Sequence, residues 1–133
     1  MSNMSIFDIS GRAMAAQLVR LNTTASNLAN ANSVSTTKEG AFRALKPVFK
    51  TVNGGEGIST VQVSQVVASN TDPTKRHDPG NPLADKNGDV WDAGVDQATE
   101  MVEMMETARQ YQNNVQVLQT AKSLTLDTLR LEK

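Results

Sequence analysis

The sequence predicts a mainly α protein with a small β middle segment, its long N- and C-terminal helices paired as a coiled coil with short antiparallel strands and loops between them. Three observations carry this prediction. Apolar residues recur at heptad spacing at both ends of the 133-residue chain. The middle is rich in Val, Gly, Pro and Asn and alternates as a sheet does. Aromatic residues make up only 4% of the chain, too few for an ordinary core, so the core must be a thin one of Leu, Val, Met and Ala. The length of a single domain thus divides into an N-terminal helix, 1–35, a β and loop segment, 36–94, and a C-terminal helix, 95–133.

The first helical pattern runs from Ser5 to about Asn32. Phe7, Met14, Leu21 and Leu28 form one row, with Leu18 and Ala25 beside it. Ser5 suits the N-cap, with Asp8 three residues on as its reciprocal partner. The remaining faces carry few charges. Asn22, Thr23, Thr24, Ser26, Asn27, Asn30 and Asn32 occupy them, a composition suited to contact with protein neighbours rather than with water.

Ser33 to Gly40 reads as a polar linker. Phe42 to Val52 and Ile58 to Ala68 read as strands joined at Asn53-Gly54-Gly55. A Pro/Gly/Asp-rich loop from Asp72 to Pro82 follows, then an Asn87-Gly88 turn and a short Asp89 to Trp91 edge.

The second helical pattern spans about Val95 to Leu131. Met101, Met104, Ala108, Tyr111, Val115 and Leu118 recur at steps of three and four, Ala121, Leu124 and Leu131 continue the stripe, and Leu126 and Leu129 widen it. Asp96, Glu100, Glu103 and Glu106 stand at its start, and Arg130 and Lys133 at its end, the order that suits the helix dipole. Such a helix is about 54 Å long, whereas a compact chain of this length has a radius of gyration near ~14 Å. It must project from any globule, and pairing with the shorter first helix leaves several apolar residues uncovered. The expectation is a subunit whose terminal helices are buried by copies of itself or by relatives.

Composition excludes several functions. Thirteen Lys and Arg against fourteen Asp and Glu give a net charge of -1, without the basic excess that bare nucleic acid or an anionic membrane demands. With no cysteine and a single histidine, His77, thiolate chemistry and multi-histidine metal sites are absent. No run approaches a membrane span, and Met1 to Ser10 lacks the basic and apolar regions of a secretory signal.

The remaining motifs favour plain readings. Asp85, Asn87, Asp89 and Asp96 mimic an EF-hand, but Val90 stands where that loop needs glycine, so they read as an acidic turn. Gly54-Gly55-Glu56-Gly57 lacks the Lys-Ser/Thr of a phosphate loop and reads as a hairpin turn. Lys75, Arg76 and His77 form a short basic cluster. Lys38, Arg43, Lys46 and Lys50 form a looser one facing Glu39 alone. Both read as solvated or subunit-contact faces. Met101, Met104 and Met105 read as a packing seam, and Glu103 and Glu106 as an exposed carboxylate pair. Nothing assembles an active site, and no cofactor or metal is expected.

Four stretches carry a resemblance: Ser26-Asn27-Leu28-Ala29-Asn30-Ala31; Ile6-Phe7-Asp8-Ile9-Ser10-Gly11; Asp78-Pro79-Gly80-Asn81-Pro82-Leu83-Ala84-Asp85 with Asn87-Gly88; and Glu100-Met101-Val102 through Ala108-Arg109-Gln110-Tyr111-Gln112 to Ala121-Lys122-Ser123. Together they resemble the bacterial flagellar axial proteins of rod and hook, and among these the proximal-rod members, along nearly the whole chain.

The resemblance implies a non-enzymatic building block of the basal-body rod, a helical tube that crosses the periplasm and transmits torque. The implied partners are copies of itself, other proximal and distal rod proteins, the rod/MS-ring junction protein and the flagellar type III export apparatus, which would export the chain without cleaving a signal peptide. Nucleic acid and a direct membrane span are not expected. The expected subunit interface comprises Phe7, Met14, Leu18, Leu21 and Leu28 on the first helix and Met101, Met104, Tyr111, Val115, Leu118 and Leu124 on the second. Asn27, Asn30 and Asn32 would satisfy polar groups where neighbours meet, and Arg43, Lys46 and Lys50 would form a basic contact in the middle segment. The alternatives are another rod or hook protein and a soluble coiled-coil adaptor.

Overall fold

A computed structural model describes residues 5–132; Met1 to Met4 of the N-terminal reading, and Lys133 of the basic helix end, lie outside the described residues. Helix α1 spans Ile6–Ala29. Its start is set by a capping box: the Ser5 hydroxyl oxygen accepts the Asp8 N–H at 3.2 Å, and Asp8 Oδ2 accepts the Ser5 N–H at 3.1 Å. Helix α2 spans Gln97–Leu131, capped by Asp96, whose carboxylate accepts the Ala98 and Thr99 N–H groups. Asp96 therefore caps a helix, as the acidic-turn reading allows.

Five strands lie between the helices: β1 Val34–Ser35, β2 Leu45–Gly55, β3 Ile58–Ala68, β4 Thr74–His77 and β5 Asp89–Asp92. β2 and β3 form a long antiparallel hairpin, and β1, β5 and β4 form a three-stranded antiparallel sheet in that order.

Five sequence expectations are corrected here. The hairpin turns two residues later than expected, because Glu56 and Gly57 take the positive φ values, 51° and 78°, that a tight two-residue turn needs. β2 starts at Leu45 rather than Phe42, because the preceding backbone pairs elsewhere: Gly94 donates to Phe42 O at 2.7 Å and Ala44 donates to Gly94 O at 3.1 Å. A methyl group on Gly94 would collide with the Thr71 carbonyl oxygen, so only glycine lets these segments approach. The loop expected over Asp72 to Pro82 contains β4, and the linker contains β1. β5 is consequently the central strand and not an edge.

The helices lie against each other and run antiparallel. Gln17 donates to Gln110 at 2.8 Å, Arg20 Nε to Glu103 at 3.1 Å, Asn27 to Glu100 at 3.1 Å, and Gln97 to Asn32 at 3.0 Å, so higher numbers on α1 meet lower numbers on α2. α2 exceeds α1 by 11 residues (35 against 24), and every residue from Lys122 to Leu131 is exposed. About 15 Å of helix therefore overhangs the first turn of α1.

The core is as thin as the composition implied. Among the described residues the buried apolar side chains are Ala16, Ala41, Ala44, Ala93, Ala121 and Val90, whereas sixteen large apolar side chains are exposed. A free-standing domain reverses that balance.

Candidate assembly surface

The tightest side-chain cluster sits where α1, β2 and α2 meet. Asn27 is fully buried and acts as a substitute strand partner: its Nδ2 donates to Leu45 O at 2.9 Å and its Oδ1 accepts the Leu45 N–H at 2.8 Å. The same Nδ2 donates to Glu100 Oε2, which is 2% exposed. Lys46, next along β2, reaches Glu100 Oε1 at 2.8 Å and Glu103 Oε2 at 3.1 Å, and Arg20 clamps Glu103 from α1. Every polar group of this junction has a partner, the condition under which buried charge is tolerated.

Two sequence readings are corrected by this geometry. Glu103 is not on an open face, because it lies between two cations. The basic cluster does not face Glu39 alone, because Lys46 faces Glu100 and Glu103, and Arg43 pairs with Asp72 at 3.2 Å. Sequence reasoning also passed over Glu100. The signal was available: Glu100, Met104, Thr107, Tyr111, Asn114, Leu118 and Ala121 follow steps of four and three, and these positions, all buried or half-buried, form the face of α2 turned to α1.

The hydrogen bond from Arg20, reinforced by Lys46, outweighs burial and holds the Glu103 carboxyl below its ordinary value of 4.5. Burial works against the Lys46 ammonium, but the hydrogen bonds to Glu100 and Glu103 outweigh it and raise Lys46 above 10.5. A lowered carboxylate stabilises the fold above its unfolded value and loses that contribution as pH falls through the folded one; a raised ammonium does so in the opposite sense. Melting followed by circular dichroism should therefore show stability falling below about pH 4.5, and again above about pH 10.5. An unchanged melting temperature between about pH 7 and pH 3 would refute this role for the junction.

The second sheet is tied by charge. Arg76 pairs with Asp92 at 3.0 Å and Asp78 at 3.2 Å, and Asp89 receives Lys75 at 3.2 Å and His77 at 2.9 Å. His77 first, then Lys75, lowers the Asp89 carboxyl. Asp85 Oδ1 accepts the N–H groups of Asn87 and Asp89, which makes this segment a closed turn. Among the described residues no three His, Asp or Glu side chains are placed to hold a metal, and no helix is long and apolar enough to cross a membrane.

The expected contact residues fall into three groups. Met14, Leu21, Leu28, Met104, Tyr111, Val115 and Leu118 are half-buried on α1 and α2. Phe7, Leu18, Met101, Leu124 and, on β2, Lys50 are exposed. Asn27, Asn30 and Asn32 are engaged within the chain, Asn30 donating to Ser26 O at 2.8 Å, as are Lys46 and Arg43.

The two helical ends carry the relationship to known proteins. Residues 7–35 match the family model described as Flagella basal body rod protein, and residues 86–131 the one described as Flagellar basal body rod FlgEFG protein C-terminal. The flagellar basal-body rod protein FlgC of Salmonella typhimurium is 47% identical over 133 residues, covering 98% of both chains. The chain belongs to the FlgC family of flagellar basal-body rod proteins.

FlgC of Yersinia enterocolitica is 44% identical over 132 residues, 98% of each chain, and FlgC of Aquifex aeolicus 37% over 126 residues, 91% of this chain and 92% of that one. FlgC is a structural rod subunit and not an enzyme. Both matched segments include residues of the Asn27–Glu100 junction, so the family regions meet there in space.

Proposed function

We propose that this FlgC-family chain transmits torque across the periplasm by packing its terminal helices, as a coiled-coil type seam, against copies of itself and the other proximal and distal rod proteins, with the rod/MS-ring junction protein at the base. The chain reaches the rod through the flagellar type III export apparatus without cleavage of a signal peptide. One observation supports this most: large apolar side chains are exposed where the buried ones are almost all alanine. Burying a Leu-sized side chain contributes about 1.5 to 3 kcal/mol, so neighbours along a shaft would supply the cohesion that the single chain lacks. Phe7, Leu18, Met101 and Leu124 are open for such contacts in one copy. Met14, Leu21, Leu28, Met104, Tyr111, Val115 and Leu118 hold the two helices in the register that presents them, and exposed Lys50 extends the contact to β2.

Removing 122–133 tests assembly apart from folding, because every residue from Lys122 to Leu131 is exposed. The shortened chain should keep its melting temperature within a few degrees, since surface changes are usually worth less than about 0.5 kcal/mol. It should nevertheless be missing from isolated basal bodies, and cells relying on it should not swim. Swimming at the normal rate would overturn the proposal.

A further inference from the structure

A hollow of about 310 Å³ lies between α1 and β3, walled by Arg12, Ala15, Ala16 and Val19 on the helix and by Val61 and Val63 on the strand. The helical wall follows steps of three, one and three, which puts its residues on one face. Two of the four are alanines, so a large side chain from outside can reach the floor.

The chain also carries a convex counterpart that no described residue covers. On the α2 overhang, Leu124 and Leu131 are seven residues apart and share one side, while Leu126 and Leu129 lie across the helix from them, and all four are exposed. This overhang cannot enter its own hollow. It starts beyond the hollow that Ile6 shares with Val117, Ala121 and Leu124 of α2, and continues the antiparallel helix away from Arg12 and Val19.

Charge matches the two surfaces. Asp127 is 66% exposed and, among the described residues, pairs only with Arg130, at 3.9 Å. Arg12 stands at the hollow, and the nearby Asp8 carboxylate is already held by the N–H and hydroxyl of Ser5.

We propose that the hollow between α1 and β3 receives the α2 overhang of a second copy of this chain, with the Leu124 and Leu131 row on the alanine floor and Asp127, which shares that side of the helix, against Arg12. The proposal rests on reading the chain as a polymerising rod subunit and adds which surface of one copy meets which surface of the next. Since the two surfaces differ, the contact is head-to-tail and does not close on itself, so each added copy offers a fresh hollow or a fresh overhang. The second leucine row faces away and remains for a different neighbour.

The chain has no cysteine of its own, so introduced thiols report cleanly. In rods isolated from swimming cells, the double variant Ala15→Cys with Leu131→Cys, treated with a short bis-maleimide, should give a ladder of dimers and higher multimers, and neither single variant should. Arg12→Glu should lower the ladder several-fold, and Asp127→Arg on that background should restore it. Dimers from Leu131→Cys alone, an adduct of Leu131→Cys with a polypeptide of another mass, a ladder indifferent to Arg12→Glu, or no ladder would each overturn the proposal. Only rods from swimming cells are used, so a missing ladder counts against this contact and not against the rod reading, which the truncation at 122 tests separately.

Discussion

Asn27→Ala is expected to destabilise the chain by about 3 kcal/mol or more, because it removes three hydrogen bonds and leaves the buried Leu45 backbone groups and the Glu100 carboxylate short of partners. Chemical denaturation followed by circular dichroism measures the loss. Asn30→Ala is the matched control. Its amide donates only to Ser26 O in the last turn of its own helix, and it should cost about 1 kcal/mol or less. Equal losses from the two variants would show that the junction of α1, β2 and α2 is not a special anchor. Asn27→Asp should fall between the wild type and Asn27→Ala. The backbone N–H of Leu45 keeps an acceptor, while a second carboxylate is brought against Glu100 at the position of the lost amide.

Leu118→Asp should abolish swimming and incorporation into the rod while the chain still reaches the culture supernatant. Leu118 is half-buried on the face of α2 turned to α1. An aspartate there exchanges apolar burial for an unpaired carboxylate, and truncating a buried leucine costs about 2–5 kcal/mol even without the charge. Leu21→Asp on the facing helix should have the same effect. The helices then part, and the surfaces that neighbours would recognise lose their register. On the export route proposed above, delivery to the outside is expected to continue. Swimming at normal speed with either variant would show that helix pairing in the single chain is unnecessary for assembly.

Regular elements with local causes were legible in the sequence. The Ser5–Asp8 capping box and the span of β3 are both decided by residues close in the chain, whereas Asp96, read as part of the first turn, is the cap before it. Elements made by distant partners were not. The stretch Thr74-Lys75-Arg76-His77 has no apolar alternation and forms a strand because Asp89 and Asp92 attract its cations across the sheet. The hairpin turn lies within the Gly54-Gly55-Glu56-Gly57 run read as a turn, at Glu56-Gly57 and not at Asn53-Gly54-Gly55, which belongs to β2 paired on β3.

The candidate surface was partly legible for the same reason. Apolar spacing identified the two helices that pack on each other, yet Met101 falls outside the inner face of α2 and Glu100 within it. Lys46 on β2 and the Asn27 amide on α1 together make a buried glutamate tolerable there, and the spacing along α2 carries no information about either partner.

The Asn27–Glu100 contact spans 73 positions of the chain. A polypeptide that emerges in order from a ribosome holds half of this contact long before the other half exists, so closing the loop is among the last steps of folding. The junction takes its final shape only when the two terminal helices come together.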